Sequence, residues 1–256
     1  MDNNSENKKR FLDRYSRQIL FSPVGEKGQK KLRKSRVAVI GCGGLGSIIA
    51  NNLTRAGVGF LRIIDRDKIE ASNLQRQVLF DEEDVRMGLP KAIAAKRKLS
   101  LINSEVKMEG IVEEINHKNI KKFVDDTDVV LDGTDNFKTR FIINEACIKY
   151  KIPWIYGAVA ASYGMIFDII PGKNICLSCI FKEIPPPDIT PSCNTVGIIN
   201  SAVNVVASIQ TTEALKILTG NLNSLIKGLI NIDVWDLSLE IIDIKKDKSY
   251  RCPVCG

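Results

Sequence analysis

The chain of 256 residues contains one histidine, few aromatic residues and no long apolar run. A membrane-spanning helix needs about 20 apolar residues, which no segment approaches, and polar residues 1–10 lack the apolar core of a signal peptide. Despite a net charge of +7, no basic block is interleaved with aromatic residues, as nucleic-acid-binding surfaces often are. We therefore expect no membrane or nucleic-acid partner, a cytoplasmic location, a disordered lead at 1–10, and no role for His117.

A strand, a tight turn and a helix are predicted at the start of the folded region. Apolar residues 36–40 indicate a buried parallel strand, and residues 47–56 follow with helical periodicity. Three glycines between them have the G-x-G-x-x-G spacing: Gly41, Gly43 and Gly46. Glycine permits the turn, the close approach of backbone to phosphate, and tight packing of helix on strand. Since a helix N-terminus also attracts anions, this stretch predicts a nucleotide site.

The second predicted strand, residues 60–64, ends in two carboxylates, Asp65 and Asp67. Asp65 lies about 20 residues after the last glycine, where an acid holds a ribose hydroxyl in dinucleotide-binding folds. A polar run then follows, Ser72-Asn73-Leu74-Gln75-Arg76-Gln77. Because arginine offers paired donors to phosphoryl oxygens, this run favours a triphosphate over NAD. An NAD-dependent oxidoreductase with a structural zinc stays the alternative enzyme.

An acidic segment and a helix follow the polar run. Residues 81–88 are predicted to form a loop, and residues 90–102 a helix that begins with proline. Lys91 falls in the first turn of this helix, where a cation opposes the helix dipole. Its position indicates that an anion balances the lysine.

The predicted strand 128–132 ends in Gly-Thr-Asp-Asn before another helix. Ligands of open parallel sheets bind at the carboxyl ends of the strands. Asp132 and Asp135 are therefore placed to hold Mg²⁺. The alternative is that Thr134 or Asp135 only caps the following helix.

The remaining pattern completes an α/β fold with a Rossmann-like, mostly parallel sheet flanked by helices. The other predicted elements are strands 106–111, 153–158 and 162–170, helices 116–124, 137–150 and 197–219, and an antiparallel strand pair at 226–234 and 237–244. The last strands form an antiparallel C-terminal extension. Residues 11–256 are expected to form a single domain.

Four of the seven cysteines form two C-x-x-C pairs, Cys176 with Cys179 and Cys252 with Cys255. In an intracellular chain such pairs indicate metal binding rather than disulfides. Four thiolates match tetrahedral zinc, and a closed four-sulfur site leaves no open position for catalysis. Whether the two pairs share one Zn²⁺ ion is open at this level, because the gap between them is long.

Together these segments resemble the ThiF/MoeB/HesA family, bacterial relatives of ubiquitin-activating enzymes. The resemblance runs from about Phe11 to the C-terminus, in the same order and spacing throughout. The matching segments are Arg14-Tyr15-Ser16-Arg17-Gln18, residues 41–46, Asp65-Arg66-Asp67, residues 72–77, Gly88-Leu89-Pro90-Lys91, Thr134-Asp135-Asn136 and both cysteine pairs. The resemblance implies a single adenylation domain with a nucleotide-binding half at 36–158 and a zinc- and carrier-binding half at 159–256.

The family implies an adenylyltransferase that uses ATP and Mg²⁺. The C-terminal Gly-Gly carboxylate of a ubiquitin-like sulfur-carrier protein attacks the α-phosphate, pyrophosphate leaves, and an acyl-adenylate forms. The product would receive sulfur, with a sulfurtransferase or cysteine desulfurase as a further partner. Thiamine and molybdopterin biosynthesis both stay open, because the carrier decides between them. The chain ends at Gly256, so we expect no C-terminal sulfurtransferase domain.

The resemblance also implies roles for individual residues. Asp65 would hold the ribose, and Asn73, Arg76 and Lys91 would contact phosphates. Asp135 would bind Mg²⁺, while Arg17 would reach the nucleotide of a neighbouring subunit, which implies a homodimer. The full expected nucleotide-binding set is Gly41, Gly43, Gly44, Gly46, Asp65, Asp67, Asn73, Arg76, Lys91, Asp135 and Asn136.

Cys193 lies in the segment Ser-Cys-Asn-Thr-Val-Gly, at the position of a family cysteine. In some members this cysteine forms a covalent link with the carrier, and in others it is dispensable. No neighbouring base or cation in the sequence would lower the pKa of Cys193, so a covalent role stays open. A third possibility is a non-catalytic zinc scaffold that binds a carrier tail.

Overall fold

The computed structural model describes residues 13–186, 193–245, 249 and 251–256. Within these residues, eight strands form one sheet. Their bounds are β1 Arg36–Ile40, β2 Phe60–Ile64, β3 Lys107–Ile111, β4 Val129–Asp132, β5 Trp154–Ala160, β6 Tyr163–Ile169, β7 Leu229–Asp233 and β8 Ser238–Ile242. The expected lead at 1–10 lies outside the described residues.

The strand order is β3-β2-β1-β4-β5-β6-β7-β8. Strands β3 to β5 in this order pair in parallel, and β5 to β8 pair antiparallel. The chain runs outward from β1 to β3 and then returns to place β4 on the other side of β1. The carboxyl ends of β1 and β4 are therefore the point at which an open α/β sheet leaves a crevice for a ligand. The predicted fold class is confirmed.

Ten α-helices connect or cover the strands in the described part of the chain. Their bounds are α1 Ser16–Leu20, α2 Gly25–Leu32, α3 Gly44–Ala56, α4 Glu82–Arg86, α5 Lys91–Ile102, α6 Lys121–Val124, α7 Phe137–Tyr150, α8 Leu177–Ile180, α9 Cys193–Val196 and α10 Asn200–Thr219. α10 ends at Thr219, and Gly220 follows with a φ of 88°, in the left-handed region that glycine tolerates. None of the described helices is both long enough and apolar enough to cross a membrane.

Apolar side chains cover both faces of the sheet. On one face, Ile49 of α3 and Leu99 of α5 belong to one cluster with residues of β1 and β2, and α10 extends this cluster across β4, β5 and β6. On the other face, Ile143 of α7 and Trp154 of β5 belong to a second cluster. Because helices bury both faces, the parallel strands are continuous apolar runs rather than alternating ones.

Two predictions of local structure are wrong. The acidic segment 81–88 contains α4, because Asp81 accepts a hydrogen bond from the Asp84 N–H at 3.0 Å and Asp84 accepts one from the Asp81 N–H at 2.9 Å. Acidic residues in a first turn also favour the helix dipole. Conversely, the helix expected at 116–124 is confined to α6, since Asn116 accepts from the N–H groups of Lys118 and Asn119 in a local turn.

Candidate functional site

A cleft of about 1330 Å³ lies at the carboxyl ends of β1, β2 and β4. Ten of the eleven residues expected to bind a nucleotide line it, although they come from five separate segments of the chain. They are Gly41, Gly43, Gly44, Asp65, Asp67, Asn73, Arg76, Lys91, Asp135 and Asn136. Strand ends, a short turn and two helix starts thus converge on one crevice.

The eleventh residue, Gly46, lies behind the glycine turn. A β-carbon on Gly46 would overlap the carbonyl oxygen of Gly41, so its lack of a side chain lets α3 pack against the end of β1. Gly41 has a φ of 88°, and a β-carbon there would come within 2.6 Å of the Gly133 carbonyl group. The first glycine thus permits the turn and the third permits close packing, as the spacing predicts.

Asp65 fixes the glycine turn to the end of β2. Its Oδ2 accepts a hydrogen bond from the Cys42 N–H at 2.6 Å, and its Oδ1 accepts one from the Asp67 N–H at 2.7 Å. Burial raises the pKa of Asp65, while these two hydrogen bonds and Lys91 oppose the rise. A carboxylate has further lone pairs, so Asp65 can still accept hydrogen bonds from hydroxyl groups in the cleft.

Lys91 is a nearly buried cation, with a side chain only 9% exposed. Its Nζ lies 3.3 Å from Oδ2 of Asp67, so an aspartate is one anion that balances it. This contact supplies the partner that the unfavourable helix position indicated. A buried ammonium group at the edge of a cleft attracts further anions with little solvent screening.

The polar run after β2 forms a 3₁₀ turn, Ala71–Asn73, and lies against the glycine turn. Arg76 donates from Nη1 to the Ser72 carbonyl oxygen at 2.9 Å, and its Cδ would lie 3.8 Å from a β-carbon on Gly44. Sequence reasoning gave Gln77 no role, yet this buried residue also lines the cleft. Its Nε2 would lie 3.8 Å from a β-carbon on Gly43. The position of Gln77 directly after Arg76 in the polar run is the sequence feature that could have predicted its place in the cleft.

The end of β4 and the loop after it carry two carboxylates, Asp132 and Asp135, which the strand-end pattern alone does not distinguish. Asn136 caps α7 by accepting a hydrogen bond from the Thr139 N–H at 2.9 Å, so the alternative in which Thr134 or Asp135 is the cap is wrong. Asp135 is exposed to the cleft and can hold a cation. The expectation that Asp132 also binds Mg²⁺ is wrong, because its side chain is 0% exposed and faces protein donors.

Arg140 was missed by the sequence analysis. Its Nε donates to Oδ2 of Asp132 at 3.2 Å, and the pair is buried on the floor of the cleft. Burial raises the pKa of Asp132, and Arg140 counteracts that rise. The sequence could have predicted this role. Side chains of a helix incline towards its N-terminus, so an arginine near the start of α7 points back to the end of β4.

Two expected site residues are not placed in the cleft of this chain. Arg17 is exposed on α1 and does not line the cleft, so its role depends on a second subunit and stays a prediction. Cys193 begins α9, but its side chain lies outside the described residues. A covalent role for Cys193 therefore also stays a prediction.

The two cysteine pairs meet in one cluster, although Cys176 and Cys252 are far apart in sequence. Their sulfur atoms are 3.7 Å apart, those of Cys179 and Cys255 are 3.4 Å apart, and all four lie within 4.8 Å of one another. Tetrahedral zinc with four thiolates requires sulfur separations of about 3.8 Å. The donor set and its spacing thus fit one Zn²⁺ ion.

The cluster is supported by α7 and joins the C-terminal tail to α8. Asn144 of α7 accepts a hydrogen bond from the Leu177 N–H at 3.0 Å and donates to Oγ of Ser178 at 3.1 Å. These bonds fix the turn between the first two cysteines. Cys42 and Cys147 are buried elsewhere, outside this cluster.

Comparison with known proteins gives consistent matches along the whole fold. The model of the ThiF family matches residues 15–254. The sulfur carrier protein ThiS adenylyltransferase of Bacillus subtilis (strain 168) is 45% identical over 243 residues, which are 95% of this chain and 71% of that protein. The SAMP-activating enzyme E1 of Haloferax volcanii is 38% identical over 96% of this chain and 89% of its own length.

One solved structure is similar in fold along the full length of this chain. The crystal structure of E. coli MccB with ATP has a TM-score of 0.81 and 26% sequence identity. The match covers 100% of this chain and 82% of MccB. The similarity therefore includes both the parallel and the antiparallel half of the sheet.

Proposed function

The chain belongs to the ThiF family, and on that basis we propose that it is an ATP-dependent adenylyltransferase acting on a ubiquitin-like sulfur-carrier protein. One observation carries the proposal: the cleft brings Arg76, Lys91 and Asp135 to the glycine turn. Two cations and a carboxylate beside open backbone N–H groups suit a triphosphate with its metal. The names of the Bacillus subtilis and Haloferax volcanii relatives support a protein substrate.

The reaction proceeds by attack of the carrier's C-terminal carboxylate on the α-phosphorus of ATP. A carboxyl oxygen forms the new P–O bond, the bond to the bridging oxygen breaks, and pyrophosphate leaves with its electron pair. No general base is needed, because a terminal carboxylate is ionised at neutral pH. Arg76 and Lys91 stabilise the negative charge that develops on the phosphoryl oxygens, which is the main task in phosphoryl and nucleotidyl transfer.

Asp135 is the residue that would hold Mg²⁺. Its carboxylate is exposed to the cleft, whereas the side chain of Asn136 is engaged in capping α7. When bound, Mg²⁺ supplies neutralisation of phosphate charge. Asp65, anchored to the glycine turn, is placed to accept hydrogen bonds from ribose hydroxyls.

The four-cysteine cluster would hold Zn²⁺ as a structural ion. Four protein ligands fill a tetrahedral site, so the ion has no position for a substrate. Its contribution is to fasten the tail at 251–256 to α8 and α7. The cluster does not line the cleft, which separates the metal from the chemistry.

A homodimer completes the proposal, with Arg17 of each subunit reaching the cleft of the other. Arg17→Ala and Asp135→Ala subunits should each be inactive alone. In a mixed dimer one of the two clefts then contains both an intact Asp135 and an intact Arg17. Random mixing should restore about a quarter of the sites, and no recovery after mixing would contradict the shared site.

The principal experiment is carrier-dependent exchange between ATP and pyrophosphate. Thiamine-type and molybdopterin-type carriers ending in Gly-Gly are supplied in parallel, so the active one identifies the pathway. Arg76→Ala and Asp135→Ala should abolish exchange and leave the zinc content intact. Arg97→Ala is the matched control, because Arg97 is exposed on α5 and does not line the cleft. Normal exchange by the first two variants would refute the site assignment.

A binding measurement separates the proposal from its alternatives. ATP with Mg²⁺ should raise the melting midpoint, and NAD should not, whereas a nicotinamide-dependent oxidoreductase requires the opposite. A non-catalytic scaffold would bind a carrier tail without any exchange. After activation, the acyl-adenylate is to be consumed by a sulfur donor, with a sulfurtransferase or cysteine desulfurase as the source.

A further inference from the structure

The loop that carries Asp135 is held from below by two buried side chains. Oδ1 of Asp132 accepts hydrogen bonds from the Thr134 N–H at 2.8 Å and from its hydroxyl group at 2.7 Å. On the other side, Nη2 of Arg140 donates to the Thr134 carbonyl oxygen at 2.7 Å. Thr134 is thus held by its N–H, its hydroxyl and its carbonyl group, directly before Asp135.

Arg140 is directed at protein atoms rather than at the open cleft. Besides Asp132 and Thr134, it donates to the Gly157 carbonyl oxygen on β5 at 3.1 Å. Its guanidinium carbon also lies 5.3 Å from the centroid of the Tyr156 ring. An arginine fixed by this many partners has a single preferred position, so it acts as a brace between β4, β5 and α7.

The same loop is also in contact with the glycine turn. A β-carbon on Gly133 would overlap the carbonyl oxygen of Gly41, so the two backbones touch with no side chain between them. Asn136 fixes the far end of the loop by capping α7. The position of Asp135 is therefore set relative to the backbone that would face the phosphates.

We propose that Thr134, held between Asp132 and Arg140, is a positioning residue that aims the Asp135 carboxylate at the cation of a metal–nucleotide complex. The inference rests on the proposed function, since it requires a nucleotide that enters the cleft with its metal. The Thr134 hydroxyl group does not touch the nucleotide. It acts through Asp135 by restricting the loop.

The test measures how ATP binding depends on Mg²⁺, by titration calorimetry with the full-length protein. Thr134→Val removes the hydroxyl group but keeps the size and branching of the side chain. The Mg²⁺ concentration for half-maximal enhancement of ATP binding should rise about tenfold, because a hydrogen bond to a charged group is lost. Affinity for ATP in the presence of EDTA should not change. Thr134→Ser, which keeps the hydroxyl group, should restore the wild-type response.

Thr211→Val is the matched control, because the Thr211 hydroxyl group is also buried and donates to the Ala207 carbonyl oxygen at 2.8 Å within α10. It should leave the Mg²⁺ response unchanged. Asp135→Asn should remove most of that response, and adding Thr134→Val to it should change nothing further. If Thr134→Val abolishes cooperative melting, Arg140→Lys provides the same comparison, because it keeps the charge and loses the planar set of donors.

The outcomes distinguish the two proposals. If the wild-type protein shows no Mg²⁺-dependent ATP binding, the proposed function fails and this inference fails with it. If wild type and Asp135→Asn behave as expected but Thr134→Val matches Thr211→Val, only the positioning role is overturned. A loss of ATP affinity in EDTA would also overturn it, since that result indicates direct contact with the nucleotide.

Discussion

The parallel and antiparallel halves of the sheet differ in how they accommodate buried charge. In the parallel half, Arg62 of β2 lies 2.8 Å from Glu109 and 2.6 Å from Asp126, and Arg140 lies 3.2 Å from Asp132. Each of these buried groups has an opposite charge supplied by the chain itself. The parallel half therefore needs no ion or retained proton to balance these charges. Removing one partner of such a pair would be strongly unfavourable, because it would leave a buried charge unpaired.

In the antiparallel half, one buried carboxyl group has no cation paired with it among the described residues, although the neighbouring Glu213 is paired with Lys216 at 2.5 Å. Asp168 of β6 is buried, and neither of its carboxyl oxygens receives a hydrogen bond from another described residue. Burial and the neighbouring Glu213 raise the pKa of Asp168 to about 9, while Lys216 opposes the rise. The four clustered thiols could hold a metal ion. On the proposed function, this half would depend on a retained proton and on that ion.

The outer strand of the antiparallel half is also apolar and exposed. Leu239 and Ile241 of β8 are 57% and 55% exposed, and Trp235 in the preceding turn is 77% exposed. Exposed apolar patches of this kind mark interaction surfaces. They are compatible with the expectation from the family resemblance that the carrier protein binds to this half and the nucleotide to the parallel half.

The largest effect should follow from loss of a cluster ligand. Cys252→Ser removes one thiolate, and we expect loss of zinc and a fall in the free energy of unfolding of more than about 4 kcal/mol. Zinc content and the melting curve measure the effect. Cys147→Ser, at a buried thiol outside the cluster, should keep its zinc. If Cys252→Ser were as stable as the wild-type protein, the antiparallel half would not depend on a bound ion, and this difference between the two halves would be refuted.

A smaller effect, dependent on pH, should arise at Asp168. The pKa of Asp168, about 9, lies well above the ordinary aspartate pKa of 3.8, so the folded state retains a proton that the unfolded chain loses above about pH 4. Stability should therefore decrease as the pH rises between these two values. Asp168→Asn mimics the protonated acid and should remove this decrease, so its gain over wild type should increase as the pH rises towards 9.

Chemical denaturation at several pH values measures the effect of Asp168→Asn. The groups that face Asp168 from α10 are Glu213 and Lys216. Asp236→Asn is a suitable control, because Asp236 is exposed in the turn before β8. Parallel pH profiles for wild type and Asp168→Asn would show that the antiparallel half does not retain the proton.

The smallest effect should come from an exposed ion pair in the parallel half. Arg66 and Glu114 are 2.5 Å apart, but their side chains are 59% and 61% exposed. Arg66→Ala should change the free energy of unfolding by less than about 0.5 kcal/mol, because solvent and salt screen such pairs. Urea denaturation checks this value. If Arg66→Ala lowered the free energy of unfolding as much as loss of a buried pair would, burial would not explain why some ion pairs stabilise the fold more than others.

Local patterns were sufficient to predict most of the parallel half. Each predicted strand of this half begins within one residue of the observed strand, and the glycine turn and Asp65 have the expected relationship. The reason is that apolar runs, glycine spacing and strand ends are properties of short segments. The acidic helix α4 was missed because its stability comes from reciprocal capping between Asp81 and Asp84, which the acidic composition concealed.

Motifs with local spacing were sufficient to identify the family, the fold class and the residue types that converge on the cleft. The strand-end pattern alone did not decide between Asp132 and Asp135, which are three residues apart, although the family resemblance implied Asp135. Only the tertiary structure buries the first against Arg140 and exposes the second to the cleft. Likewise, the cysteine pairs were evident, but their meeting depends on how the chain folds between them, because distance along a chain does not determine distance in space.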